Sequence, residues 1–154
     1  MELGDLIKPE GVIPVLKAKT KKQVLQELSE KAASLTRLNA RDIFETLQQR
    51  ERLGSTAVGR GIAIPHGRLP ALKSIFSVFA RLGEPIDFEA PDGEPVDLIF
   101  LLLAPEHAGA DHLKALARIS RLLREPQTIE RLRASRDHAA LFSALTQPAA
   151  VHAA

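Results

Sequence analysis

Two stretches near the start of the chain carry apolar residues at helical spacing. In "TKKQVLQELSEKAASL", Thr20 and Gln23 form a capping-box pair, and Val24, Leu25, Leu28, Ala32 and Leu35 then recur on one face. "NARDIFETLQQRERL" repeats the plan, with Asn39 as N-cap and Ile43, Phe44 and Leu47 inward; Gly54 ends the helix. Joined by "TRLN", the two predict an antiparallel hairpin or a helix-turn-helix.

The pattern then changes period. "SIFSVFARL" is rich in β-branched and aromatic residues, and "VDLIFLLLA" is an unbroken apolar run stopped by Pro105. The latter predicts a central strand buried on both faces. "GEPIDFEAPDGEP" between them reads as turns around a short Ile86–Phe88 segment, while "VIPVL" and "GIAIP" are short strand candidates. Helical spacing returns in "DHLKALARISRLL", with Asp111 as cap and Leu113, Leu116, Ile119 and Leu123 inward, then in "PQTIERLRA" and "DHAALFSAL". Helices, strands and again helices predict an α/β (α+β mixed) chain: one domain over residues 1–146, its mixed sheet sandwiched between helices. Residues 147–154 read as a flexible tail.

Composition narrows the chemistry. With 45% hydrophobic and 26% charged residues, the 154-residue chain is ordinary globular material. It has no cysteine, which excludes disulfides and thiolate chemistry, and no Trp or Tyr, which leaves little for base stacking. The N-terminus does not read as a signal peptide, and the longest apolar run, Leu98–Ala104, is far short of the ~20 residues a spanning helix needs. A soluble, cytoplasmic protein without direct membrane insertion is expected. Net charge is +2: residues 1–60 hold 11 bases and 8 acids, 61–110 hold 3 and 7, and 111–154 hold 7 and 4. So mild an excess at the ends reads as solvated helix faces, and no nucleic-acid partner is expected.

The candidate chemistry lies in residues 50–69, "RERLGSTAVGRGIAIPHGRL". "GSTAVGRG" nearly fits a phosphate-binding loop, but Arg60 and Gly61 replace the lysine and the hydroxyl that do its work. A G-x-G-x-x-G fingerprint fails at Ile64. His107 and His112 stand five apart and would need His66 or a carboxylate to complete a zinc site; no metal and no cofactor are expected. Serine-hydrolase chemistry lacks a G-x-S-x-G elbow.

His66 as a phosphoryl-accepting nucleophile fits better. A neutral imidazole nitrogen attacks phosphorus directly, provided that the other nitrogen is held and positive charge meets the phosphoryl oxygens. Pro65 and Gly67 suit an exposed turn, Arg50 brings a guanidinium late in its helix, and His112 brings a donor in the first turn of another. Spacing alone leaves an ordinary turn histidine equally open.

The motif "R-E-R-L-G-S-T…G-I-A-I-P-H-G-R" resembles the phosphorylation site of phosphotransferase-system enzyme IIA domains of the fructose–mannitol class, and most of all the stand-alone nitrogen-regulatory members. "V-I-P", "P-V-D-L-I-F-L-L-L-A-P" and "H-L-K-A-L-A-R-I" extend the likeness over nearly the whole chain. The resemblance implies a protein phosphohistidine phosphotransferase in which His66 takes phosphate from a histidine phosphocarrier protein on the ring nitrogen remote from the backbone. It implies Arg50 and His112 as catalytic flanking groups, and Ser55, Thr56 and Gly67 as support for the phosphate site. It also implies regulated target proteins as partners. Arg60 stands where mannitol-class transporters resemble one another in carrying a carboxylate, and is expected to alter the field at a phosphohistidine.

Two other readings remain at this level. One is a sugar-specific IIA component passing phosphate to a IIB domain. The other is a DNA-binding regulator using the first helix pair, although both of those helices carry a full apolar face. His107 is expected to face solvent, His138 to sit idle beside its cap Asp137, and His152 to lie in the tail.

Overall fold

The apolar run Val96–Pro105 forms β6, the centre of the sheet in a computed structural model that describes residues 2–147. From Leu98 onward every residue of β6 is buried. Its side chains alternate between two cores, Ile99, Leu101 and Leu103 on one face and Leu98, Phe100 and Leu102 on the other. Around it lie β1 (Ile7–Leu16), β2 (Ala57–Gly59), β3 (Ile62–Ala63), β4 (His66–Leu69) and β5 (Phe76–Ile86). The sheet order is β1-β5-β6-β3-β2, with β4 pairing the far end of β6. β5 runs antiparallel to β6, whereas β3 and β4 run parallel to it, so the sheet is mixed.

Helices α1 (Lys21–Thr36) and α2 (Ala40–Arg52) cover one face. α3 (Ala110–Leu122), α4 (Pro126–Ala134) and α5 (His138–Thr146) cover the other. The caps explain where several begin. The Thr20 hydroxyl accepts the Gln23 N–H, Asn39 accepts from Arg41 and Asp42, and Asp137 accepts from Ala140. α1 and α2 bury Val24, Leu28, Ile43 and Leu47 against the sheet, so the pair is a packed layer of the domain.

Four details differ from expectation. Residues 65–67, expected as an exposed turn, lead into β4 instead, with Pro65 buried and His66 and Gly67 half-buried. β1 extends well beyond "VIPVL" and contains Pro9 and Pro14; as an edge strand with β5 its one neighbour among the described residues, it tolerates their missing donors. β5 continues through Gly83-Glu84-Pro85 to Ile86 across a register shift, so no separate Ile86–Phe88 element forms. α3 starts earlier than Asp111, with Gly109 at its N-cap at φ +57°, and Leu113 points outward at 66% exposure. Of the other expected inward residues, Ile119 and Leu123 are buried and Leu116 packs partly buried against the same core; His112, Ala115 and Leu122 join them, with His112 rather than Leu113 in the core-facing position at the start of the helix. Of the expected tail, residues 148–154 with His152 lie outside the described residues.

Candidate functional site

β4 is an edge strand, and that openness lets both helical layers reach one imidazole. His66 opens β4 opposite Leu102 of β6, after Pro65, whose carbonyl accepts the Leu102 N–H at 2.9 Å. From one layer α2 sends Arg50, whose Nε–H donates to His66 Nε2 at 3.3 Å. From the other layer α3 brings His112, with ring centroids 5.8 Å apart and planes at 69°. The structure therefore gathers His66, Arg50 and His112 from three separated stretches of chain.

The hydrogen bonds fix the state of His66. A guanidinium only donates, so Nε2 presents a lone pair to Arg50. Nδ1 lies 2.9 Å from the Ile64 carbonyl, which only accepts, so Nδ1 carries the proton. Burial pulls this imidazole below its ordinary value of 6.5, and the Arg50 charge adds to that; the Ile64 bond and Glu51 pull the other way. The result is a neutral ring with its nucleophilic pair on Nε2. Arg50 is steadied by a second bond, from Nη1 to the Gly54 carbonyl at 2.9 Å.

Ser55 and Thr56 turn their hydroxyls inward. Ser55 Oγ donates to the Phe88 carbonyl at 2.6 Å and accepts the Ala57 N–H at 3.1 Å. Thr56 donates its hydroxyl to Glu51 Oε2, and its N–H bonds Glu51 Oε1 at 3.0 Å. Glu51 is buried and also meets Lys21 Nζ at 3.0 Å, while Lys21 reaches Glu89 and lies 4.8 Å over the Phe88 ring. This polar knot anchors the loop between α2 and β2. The sequence reading missed it, although a carboxylate directly after Arg50 and five residues before Thr56 was the available signal.

Gly67 acts by having no side chain. A Cβ there would lie 2.6 Å from Thr46 Cγ2, one helical turn before Arg50. Thr46 cannot easily yield, because its hydroxyl is bonded to the Asp42 carbonyl at 2.8 Å. Gly67→Ala is expected to lower stability by about 1–3 kcal/mol through overpacking. Adding Thr46→Ala should recover much of that loss, as read by urea unfolding of the two single variants and the double. Additive losses would show that this close approach does not set the spacing.

Arg60 lies elsewhere, contrary to the expected influence on the site. Its backbone, at φ +57°, forms the β2–β3 turn and bonds Asp92 Oδ2 at 2.9 Å. Ile62 pairs Leu98 whereas His66 pairs Leu102, which separates that turn from the site by roughly 13 Å along β6. His107 is exposed in the β6–α3 loop, and His138 is exposed at the start of α5. Among the described residues no group of three or more His, Asp or Glu is disposed to hold a metal ion. Among them, too, no helix is long and apolar enough to cross a membrane.

Residues 5–147 match the family model described as phosphoenolpyruvate-dependent sugar phosphotransferase system, EIIA 2. A nitrogen regulatory protein from Bradyrhizobium diazoefficiens is 62% identical, over 99% of this chain and 100% of the relative. The crystal structure of nitrogen regulatory protein IIA-Ntr from Neisseria meningitidis superposes with a TM-score of 0.89 at 35% identity, covering 94% of this chain and 99% of that one. Escherichia coli enzyme IIAMTL, solved in complex with phosphorylated enzyme IIBMTL, shares the fold, with a TM-score of 0.77 at 21% identity over 91% and 98% of the two chains. The edge-strand histidine, its flanking groups and these likenesses lead to one assignment: the chain belongs to the EIIA 2 family of the phosphoenolpyruvate-dependent phosphotransferase system.

Proposed function

We propose that this protein is a cytoplasmic, nitrogen-regulatory phosphocarrier. It takes a phosphoryl group from a histidine phosphocarrier protein onto His66 Nε2 and reports its phosphorylation state to target proteins. The observation that carries this reading is the division of labour on one ring, Nδ1–H held by Ile64 and the Nε2 lone pair held outward against Arg50. Likeness to the Bradyrhizobium regulatory protein over its full length supports the regulatory role.

In the reaction, the Nε2 lone pair attacks phosphorus as the P–N bond of the donor phosphohistidine breaks. The donor imidazole leaves with that electron pair. The Nδ1 proton stays on His66, so the phosphorylated ring carries positive charge next to the Ile64 carbonyl that accepts from it. Arg50, losing its lone-pair partner, turns its donors to the phosphoryl oxygens, where charge spreads during transfer. No metal enters this scheme. Leu53 and Leu113, 85% and 66% exposed, follow Arg50 and His112 closely in the chain and offer apolar surface to a protein partner.

Incubation with enzyme I, the phosphocarrier and phosphoenolpyruvate should add one acid-labile phosphoryl group, as read by intact mass. An unchanged mass would sink the reading, and ready passage of the phosphate to a sugar-specific IIB domain would turn it from regulation to transport.

The state of His66 sets a pH dependence. Only the neutral ring attacks, and its protonation is displaced below 6.5, so acceptance should hold its plateau down through that pH and fall only below it. Because Arg50 is one of the groups lowering the value, Arg50→Met should move the acid limb upward as well as slow transfer. Rates from about pH 5 to 8, with one donor preparation for both proteins, test this. An unmoved limb would show that Arg50 exerts no field on the ring.

A further inference from the structure

Deepening the phosphocarrier reading and resting on it, we infer that Arg68 is a positioning residue that fixes the tautomer of His112. Arg68 stands two residues after His66 on β4, hence on the same face, and Arg68 Nε–H donates to His112 Nδ1 at 2.9 Å. Its Nη1 is braced by the Glu106 carbonyl at 3.3 Å. Since a guanidinium offers no acceptor, His112 Nδ1 holds a lone pair and the ring proton resides on Nε2.

Two arginines thus lock two neighbouring histidines in opposite tautomers. His66 has its proton on Nδ1 and its lone pair on Nε2; His112 has the reverse. Among the described residues His112 Nε2 has no hydrogen-bond partner, and it is buried on a residue only 6% exposed. A buried, unpartnered N–H beside a phosphoryl-accepting nitrogen needs a reason, and a phosphoryl oxygen on His66 supplies one. Were His112 in the other tautomer, Nε2 would offer a lone pair and repel that oxygen. Arg68 therefore turns His112 from a competing nucleophile into a donor for the phosphoryl group.

The test uses the whole protein with ¹⁵N-labelled histidine. In the wild type, NMR should show His112 Nε2 protonated and Nδ1 bare. Arg68→Met, which keeps the stem but removes the donor, should mix the two tautomers and slow phosphoryl acceptance about 10-fold. Arg68→Lys, still a donor, should restore much of both. An identical His112 spectrum in wild type and Arg68→Met overturns the inference even with normal phosphorylation, and so does a mixed tautomer with unchanged transfer. A wild type that takes no phosphate instead defeats the functional reading, which the ring spectra distinguish because they require no phosphate.

Discussion

His66→Ala is expected to take phosphoryl acceptance below detection, a loss of more than about 10³-fold. No neighbour can replace the lost lone pair. His112 Nδ1 is engaged by Arg68, and its Nε2 carries the proton. Arg50 and Arg68 are donors only, and the Ser55 and Thr56 hydroxyls donate to Phe88 and Glu51. The fold should survive, because the half-buried ring contributes one bond to Ile64 and one from Arg50, together worth roughly 1–2 kcal/mol. Acid-labile phosphate incorporation should therefore vanish while the far-UV circular dichroism spectrum stays unchanged. A variant that still takes phosphate stoichiometrically would move the acceptor away from His66.

The largest stability effect is expected from Glu51, a residue that performs no chemistry itself. Its side chain is 5% exposed and Lys21's is 16%, so removing the carboxylate strands a desolvated ammonium and two Thr56 donors. Breaking a buried pair by deleting one partner costs about 3–5 kcal/mol. Lys21 keeps Glu89 and the Phe88 ring, which reduces the expected loss for Glu51→Ala to roughly 2–4 kcal/mol. Glu51→Gln should rescue only part, because its amide oxygen still accepts the Thr56 N–H and its amide N–H can donate to the Thr56 hydroxyl, whereas a neutral side chain leaves the Lys21 ammonium without its buried counter-charge. Urea unfolding measures both variants. A midpoint within error of the wild type for Glu51→Ala would mean that the knot beneath the loop contributes nothing to stability.

Much of the framework is legible in local sequence because local interactions decide it. Thr20, Asn39 and Asp137 cap helices from within a few residues, and the run of β6 is too apolar to lie anywhere but the centre. Strand lengths are different. Pro9 and Pro14 read as breakers, and only the edge position of β1 makes them harmless. Leu113 reads as core by spacing, yet the burial of His112 turns it outward, and that burial depends on packing against β4. At the site, residue type pointed to His66, Arg50 and His112. Arg68 could not be assigned from sequence, since its partner lies 44 residues away and is met only once β4 and α3 have packed. Arg60 shows the reverse: close to His66 in sequence, it is carried off by the β2–β3 turn.

Nε2 of His66 is the atom proposed to accept the phosphoryl group. Correlated ³¹P–¹⁵N NMR of the phosphorylated, ¹⁵N-histidine-labelled protein tests it most directly. A single phosphorus coupled to His66 Nε2, with Nδ1 still protonated, is expected. Coupling to His66 Nδ1 or to either nitrogen of His112, or a phosphorus bonded to no nitrogen, would contradict it.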